Sequence, residues 1–290
     1  METFPDPANS PGRYTRCLQL GDLDSIVAAC TVVPHFRHVE ELQVSTSGST
    51  TDSSTPPPLI QLRRMSPTLK TLHVSHVTAL SSELLNLICS FPLLENLGLY
   101  FVTTWGGVDG RYIPPPSPTL TGFLYLTNSS PAVTHGLLNL LNGPHSSRIK
   151  ASFTVESARP IADLISKCSD SVEYLALNFD SPSSFPLVPI GLDWASNGVT
   201  AALRTAEPTN LRKITVTIGS WAGFTDPVRE TVRQEWQDLD DLLVQFWISR
   251  SVCLNIKCAR TGVDGLGERV LRLLPKFASK GGWIFPLSGH

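Results

Sequence analysis

The chain has 290 residues, 41% of them hydrophobic and 17% charged, with a formal net charge of −2. That balance suits a globular fold and supplies no basic excess to draw the chain toward nucleic acid or an anionic membrane surface. No run approaches the roughly 18–20 continuous apolar residues of a membrane span, and the opening METFPDPANSPGRYTRC has no apolar stretch behind a basic tip, so it does not read as a secretory signal.

Residues 1–12 are expected to form a flexible N-terminus, and from residue 13 a strand template begins. Leu18 and Leu20 are its first apolar pair, with the two-residue period of a strand buried on one face. Asp22–Val33 then has helical spacing, with Ile26, Val27 and Cys30 inward. Val39-Glu-Glu-Leu42-Gln-Val44 is the first full copy, apolar at its first, fourth and sixth places. A low-complexity loop follows at 45–58 (STSGSTTDSSTPPP). Leu69-Lys-Thr-Leu72-His-Val74 repeats the template, and Leu80, Leu84, Leu87 and Ile88 predict a helix behind it. After Leu94-Glu-Asn-Leu97-Gly-Leu99 comes a second loop, 103–118, then the looser pair Leu124/Leu126. Val133, Leu137, Leu138 and Leu141 mark the next helix, Phe153/Val155 the next loose pair, and Ile161, Leu164 and Ile165 another helix.

Val172-Glu-Tyr-Leu175-Ala-Leu177 and Leu211-Arg-Lys-Ile214-Thr-Val216 flank a third loop, 181–198. A shorter break at 219–225 leads to Asp226-Pro227, an acidic cap and a proline whose fixed φ suits a first helical turn. The stripe of that helix runs Val228, Val232, Trp236, Leu239, Leu243, Phe246, Trp247. Leu254/Ile256 is the last pair. Residues 259–290 read as a C-terminal cap, with Leu271, Leu273, Leu274 and Phe277 in a closing helix and Trp283-Ile-Phe as a last strand.

The first residues of the nine pairs are 18, 42, 72, 97, 124, 153, 175, 214 and 254, so the intervals are 24, 30, 25, 27, 29, 22, 39 and 40. Most lie at or near the roughly 20–29-residue leucine-rich period. A strand and a helix that are each apolar on one side cannot bury that side alone, whereas stacked copies can. The expected fold is therefore α/β, a leucine-rich-repeat solenoid with an inner parallel β-sheet and outer helices. An ordinary α/β sheet also alternates strands and helices, but has no reason to repeat one side-chain template.

Residues between the inward pairs must face out of the sheet. They are Gln19, Gln43, His73, Gly98, Tyr125, Thr154, Ala176, Thr215 and Asn255, with Glu41, Asn96, Tyr100, Tyr174, Asn178 and Lys213 as neighbours. Aromatics and amides with little charge suit protein recognition. Gln43, His73, Tyr100, Tyr125, Tyr174, Asn178 and Lys213 are accordingly the candidate partner-binding residues of the concave face, against the alternative of an idle solvated sheet. The loops all follow repeat strands and should share one edge. Their Trp105, Tyr112, Trp194 and Trp221 are candidate partner-binding residues there, or else aromatics tucked back onto the core.

No catalytic constellation, metal site or cofactor is read, and an enzyme is not expected. His35-x-x-His38 has no third ligand nearby, and His73-x-x-His76 straddles a strand whose faces alternate. Cys253 and Cys258 have no second pair beside them, and the six scattered cysteines resemble reduced core residues of an intracellular protein, cytoplasmic or nuclear. On that view the sequon Asn128-Ser129-Ser130 is idle. Ser147-Arg-Ile-Lys150 lacks the companion motifs of Ser-x-x-Lys hydrolases, and Gly262, Gly265 and Gly267 are in the wrong order for a dinucleotide fingerprint.

The phrases SPTLKTLHVSHV, SSELLNLICSFPLLENLGLYFV and DSVEYLALNFDSP resemble the degenerate leucine-rich region of the large fungal F-box protein family, a likeness that covers roughly residues 13–258. The resemblance implies repeats that recruit a protein for a cullin-based ubiquitin ligase, with an N-terminal F-box docking onto the ligase adaptor. Here a repeat strand already starts near Thr15 and no F-box is read before it, so only the recognition half of that role carries over. The asparagine usual three places after the second inward residue is also missing, its places holding Ser47, Val77, Val102 and Asp180, which predicts uneven curvature. The expected role is a protein-interaction module whose partner is a protein, not nucleic acid or membrane. The alternatives are a truncated F-box product without independent role and, as a third, a hydrolase on the repeat scaffold.

Overall fold

The computed structural model describes residues 14–22, 25–28, 36, 38–46, 59–64, 67–105, 120–127, 129–140, 148–152, 158–168, 171–179, 200, 203–204, 211–218, 230–250, 253–258 and 272–280. The chain divides into two compact units, Met1–Pro144 and His145–His290.

In chain order the first unit has strand β1 (Cys17–Leu20), β2 (Glu41–Ser45), a 3-10 helix (Leu59–Arg64), β3 (Thr71–Ser75), β4 (Thr78–Leu80) and helix α1 (Ser81–Cys89). It continues with β5 (Asn96–Tyr100), β6 (Thr103–Trp105), β7 (Phe123–Thr127) and helix α2 (Pro131–Leu140). Strands β1, β2, β3, β5 and β7 pair in that order, all parallel. Their register stacks like on like: Leu18, Leu42, Leu72, Leu97 and Leu124 form one row, and Leu20, Val44, Val74, Leu99 and Leu126 the next. All are buried except Leu18. Burying each such side chain contributes about 1.5–3 kcal/mol, so the template that repeats in sequence is also the one that fills the core.

One backbone arrangement recurs at the start of these strands. The carbonyl of Arg16 accepts from the N–H groups of Glu40 and Glu41, that of Glu40 from Lys70 and Thr71, and that of Lys70 from Glu95 and Asn96. At β7 the Asn96 side chain joins in. Its Oδ1 accepts from the Phe123 N–H at 2.9 Å while its Nδ2 donates to Thr71 Oγ1 at 3.1 Å, tying three strands together. Gly122 leaves the room for this, since a Cβ there would fall 1.8 Å from Asn96 Oδ1.

The far ends of the strands explain how the fold manages without an asparagine at 77 and 102. His76 (φ 54°) and Phe101 (φ 53°) turn the chain through the left-handed region, a conformation of appreciable cost for residues other than glycine. The ladder then continues along the main chain: His76 N–H donates to Tyr100 O at 2.9 Å, Phe101 N–H to Thr127 O at 2.7 Å and Thr103 N–H to Val77 O at 2.9 Å. Val77 and Val102 are buried. The parallel pair β4–β6 follows directly. This corrects the loop expected from residue 103, because 103–105 is strand and Trp105 lies within it; residues 106–119 fall outside the described set. Ser45 likewise belongs to β2 rather than to the loop expected from it, of which 47–58 are not described.

Helix α1 buries Leu84, Leu85, Leu87 and Ile88 and packs on the 3-10 helix and α2. Leu80, expected on its stripe, instead closes β4. Gly136 permits the close approach of α2, as a Cβ there would stand 2.9 Å from Leu85 Cδ1. Of the helix expected over Asp22–Val33, residues 25–28 are helical, and the Ser25 N–H donates to Asp22 Oδ1 at 2.6 Å in an N-cap. Ile26 is buried there, but Val27 is 48% exposed, contrary to expectation. Adjacent helical residues point about 100° apart, so a single turn cannot bury both. Cys30 is not among the described residues.

The second unit runs β8 (Arg148–Ser152), α3 (Ala158–Lys167), β9 (Tyr174–Phe179), β10 (Lys213–Ile218), α4 (Glu230–Arg250), β11 (Cys253–Cys258) and α5 (Pro275–Ser279). Its four strands are again parallel and paired in chain order, with Ile149, Leu175, Ile214 and Leu254 in one row and Ala151, Leu177, Val216 and Ile256 in the next. The row therefore contains Ile149/Ala151 where the sequence reading placed Phe153/Val155. Lys150 takes the outward place expected of Thr154. Alanine at 151 is too small to register as a hydrophobic beat, yet it holds the place opposite Leu177 on β9. Ile161, Leu164 and Ile165 of α3 and Trp236, Leu239 and Leu243 of α4 are buried as their spacing predicts. Residues 272–273 are helical and α5 follows, and of the four apolar residues named for the closing helix Leu274 and Phe277 are buried, Leu273 is half-buried and Leu271 lies outside the described residues. Asp240, itself buried on α4, caps it: Oδ2 accepts from the Lys276 N–H at 2.9 Å and Oδ1 from the Phe277 N–H at 2.8 Å. The fold is α/β, built on parallel strands with helices between them.

Candidate functional site

Alternation along the strands puts Gln43, His73 and Tyr125 on the face opposite the leucine rows, in one cross-strand row with Gln19 and Gly98. Tyr100 stands two places along β5 from Gly98, and Glu41 and Phe123 lie one rung toward the strand starts. The rings of this face gather. Ring centroids of His73 and Phe123 are 5.4 Å apart, of Phe123 and Tyr125 4.4 Å, and of His73 and Tyr100 6.0 Å, with interplanar angles of 29°, 20° and 24°. Offset stacking at these distances contributes roughly 0.5–1.5 kcal/mol per pair.

Gly98 is what lets the rings meet. A Cβ there would sit 2.5 Å from His73 Nδ1 and 2.7 Å from Tyr100 Cε2. Gly98→Ala should therefore push both rings aside without unfolding the sheet, since the clashing atoms belong to side-chain rings rather than to backbone. We expect loss of the His73–Tyr100 ring contacts in aromatic NMR spectra and of near-ultraviolet circular dichroism, with a melting temperature close to that of the parent. Unchanged His73–Tyr100 contacts in the variant would contradict this account.

Burial pushes the His73 pKa below the ordinary histidine value, against a weaker pull upward from the nearby Glu41 carboxylate. The Tyr100 hydroxyl is pushed up by burial and by Tyr125 beside it. Both shifts favour the neutral forms of His73 and Tyr100. Beside it lies an open depression of about 470 Å³ whose lining includes Gln19, Gln43, His73, Ser75, His76 and Tyr100. Gln43 Nε2 donates to Glu41 Oε1 at 2.7 Å, which leaves its amide oxygen as an acceptor on this surface. Past the strand ends, His76 and Phe101 stack at 4.7 Å and 8°, and Phe101 is 47% exposed. The chemistry on offer is amide and imidazole hydrogen bonding next to aromatic rings. Burial raises the Cys89 thiol to about 11 and the Cys168 thiol to about 12, so neither is a nucleophile at neutral pH. Among the described residues no group of three or more His, Cys, Asp or Glu is placed to hold a metal ion, and no helix is long and apolar enough to cross a membrane.

The seven residues expected on the concave face thus fall into two sets. Gln43, His73, Tyr100 and Tyr125 meet in the first unit. Tyr174, Asn178 and Lys213 belong to the second, where Lys213 is directly opposite Tyr174 and Asn178 opposite Thr217; the Asn178 side chain is not among those described. Of the loop-edge aromatics, Trp105 is placed in β6, while Tyr112, Trp194 and Trp221 lie outside the described residues. Sequence reasoning missed Phe123, although it has the same strand parity as Tyr125 and alternation alone would have found it. It also missed Arg148, whose guanidinium lies 5.2 Å from the Tyr174 ring centroid, because the strand that contains it was placed too late in the chain.

No family model matches the chain, and no curated protein matches it.

Proposed function

We propose that the chain is a leucine-rich-repeat solenoid that serves as a protein-interaction module, recognising a partner protein on the outward face of the first unit's sheet. The observation that carries this is the four-ring group His73, Tyr100, Phe123 and Tyr125 gathered over Gly98 beside the amide-lined depression. Aromatic anchors flanked by hydrogen-bonding groups, with few charges at the centre, are what protein interfaces concentrate. The repeat architecture is supported by the in-register apolar rows and by the backbone bond that recurs from Arg16 to Lys70.

The resemblance to fungal F-box proteins extends the proposal: the partner is a protein presented to a ubiquitin ligase in the cytoplasm or nucleus, and only the recognition half of that family's role carries over. No enzyme activity is part of the proposal. Proximity labelling in cells with the parent chain and with Tyr100→Ala plus Tyr125→Ala is the test. A set of proteins labelled by the parent and lost from the folded double variant is expected. Identical sets from both would sink the recognition face.

A further inference from the structure

The outward face of the second unit's sheet differs in kind from that of the first. Its first rung reads Arg148, Tyr174, Lys213, side by side on β8, β9 and β10. Arg148 and Lys213 are exposed, and Tyr174 is 37% exposed. Strand parity puts Lys150 and Lys257 at positions of the same face, and no Asp or Glu occupies an outward position of the four strands. No carboxylate pairs with Arg148 or Lys213 among the described residues, whereas Glu40 in the first unit is already shared by Arg16 and Lys70, and Arg204 and Lys276 have Asp238 and Asp241.

We propose that this rung binds an acidic segment of a partner protein, held in an extended polyproline-type conformation with carboxylates three residues apart. The surface belongs to the second unit, and the proposal does not depend on the ring cluster of the first. The guanidinium of Arg148 rests on the Tyr174 ring, a contact that orients the planar group and leaves N–H edges free for two-point recognition of a carboxylate. Lys213 supplies a point charge on the other side of the same tyrosine. Neighbouring strands are about 4.8 Å apart, so cations two strands apart are separated by about 9.6 Å at the backbone. A polyproline II segment returns to the same face every third residue after about 9.3 Å. Same-face residues of a β-strand recur after only about 6.7 Å, and those of an α-helix four apart after about 6 Å. The spacing thus favours the polyproline geometry. A carboxylate-bearing peptide is favoured over single-stranded nucleic acid because the cations are spaced across the strands and the whole chain carries a net charge of −2, rather than the extended basic stripe that a phosphate backbone recruits.

The test is fluorescence anisotropy on the full chain with three labelled probes: a twelve-residue Glu-Pro-Pro repeat, a twelve-residue Glu-Pro repeat and a twelve-nucleotide thymidine strand. The Glu-Pro-Pro probe should bind tightest and weaken as salt is raised. Arg148→Gln plus Lys213→Gln, both at exposed positions, should weaken it roughly tenfold or more, with far-ultraviolet circular dichroism unchanged. Tyr100→Ala plus Tyr125→Ala should leave it intact, which separates failure here from failure of the ring cluster. Arg148→Lys keeps the charge but loses the fork, and should give an intermediate affinity even if the double variant folds poorly. Equal binding by parent and Gln variants, equal binding of the two acidic probes, or tighter binding of the thymidine strand would each overturn the proposal.

Discussion

Leu97→Ala should lower the unfolding free energy of the first unit by about 3 kcal/mol, within the roughly 2–5 kcal/mol range for a buried leucine truncated in a packed core. Leu97 is completely buried on β5, the fourth of the five paired strands, with Leu72 on one side and Leu124 on the other. Those neighbours are held by their own strand pairings, so the site cannot collapse around the lost atoms and the cavity cost adds to the transfer cost. Leu18→Ala is the control. Leu18 occupies the same row on β1 but is only half-buried, and its truncation should cost about 1 kcal/mol by the smaller area it removes from water. Urea unfolding followed by far-ultraviolet circular dichroism measures both. Equal effects at 97 and 18 would mean that the row is not the core.

Asp240→Ala carries the second large effect, a loss of about 2–4 kcal/mol in the second unit. Its buried carboxylate accepts from two backbone N–H groups at the start of α5, those of Lys276 and Phe277. Hydrogen bonds to an ionised group contribute about 1.5–3 kcal/mol each, and a donor left unsatisfied in a buried place adds its own penalty. With the cap gone, Leu274 and Phe277, both fully buried, lose the contact that holds their helix against α4. Asp240→Asn keeps one acceptor of similar shape and should cost less than the alanine variant. Hydrogen exchange at the Lys276 and Phe277 amides is the direct readout. Protection that survives in Asp240→Ala would show that packing of Phe277 alone anchors the segment.

Why some features were legible and others were not follows from what each depends on. The tight copies of the template read correctly because both inward places hold large apolar residues, as at Leu72/Val74 and Leu97/Leu99. The copy at β8 did not, because Ala151 contributes little hydrophobic signal while Phe153 and Val155 just beyond contribute more. The aromatic side of the first unit was visible in part through His73, Tyr100 and Tyr125. The gathering of those rings was not, because it needs Gly98 to be bare on one strand while its neighbours lean across from the next, a relation between residues 25 apart in the chain. Trp105 was assigned to a loop because the short pair β4–β6 has too few residues to show alternation; it is made by the register of the longer strands beside it.

The sequence by itself determined the strand template and its spacing, because burial of one face imposes a two-residue period and stacked copies must repeat it. It also determined the apolar stripes of α3 and α4 and the outward residues of the tight copies. Only the tertiary structure decided which outward residues become neighbours: the ring cluster over Gly98 in one unit and the Arg148–Tyr174–Lys213 rung in the other. Lateral register is set by hydrogen bonds between strands far apart in the chain, such as those accepted by the Arg16, Lys70 and Glu173 carbonyls. No local pattern encodes that register, and the chemistry of both faces depends on it.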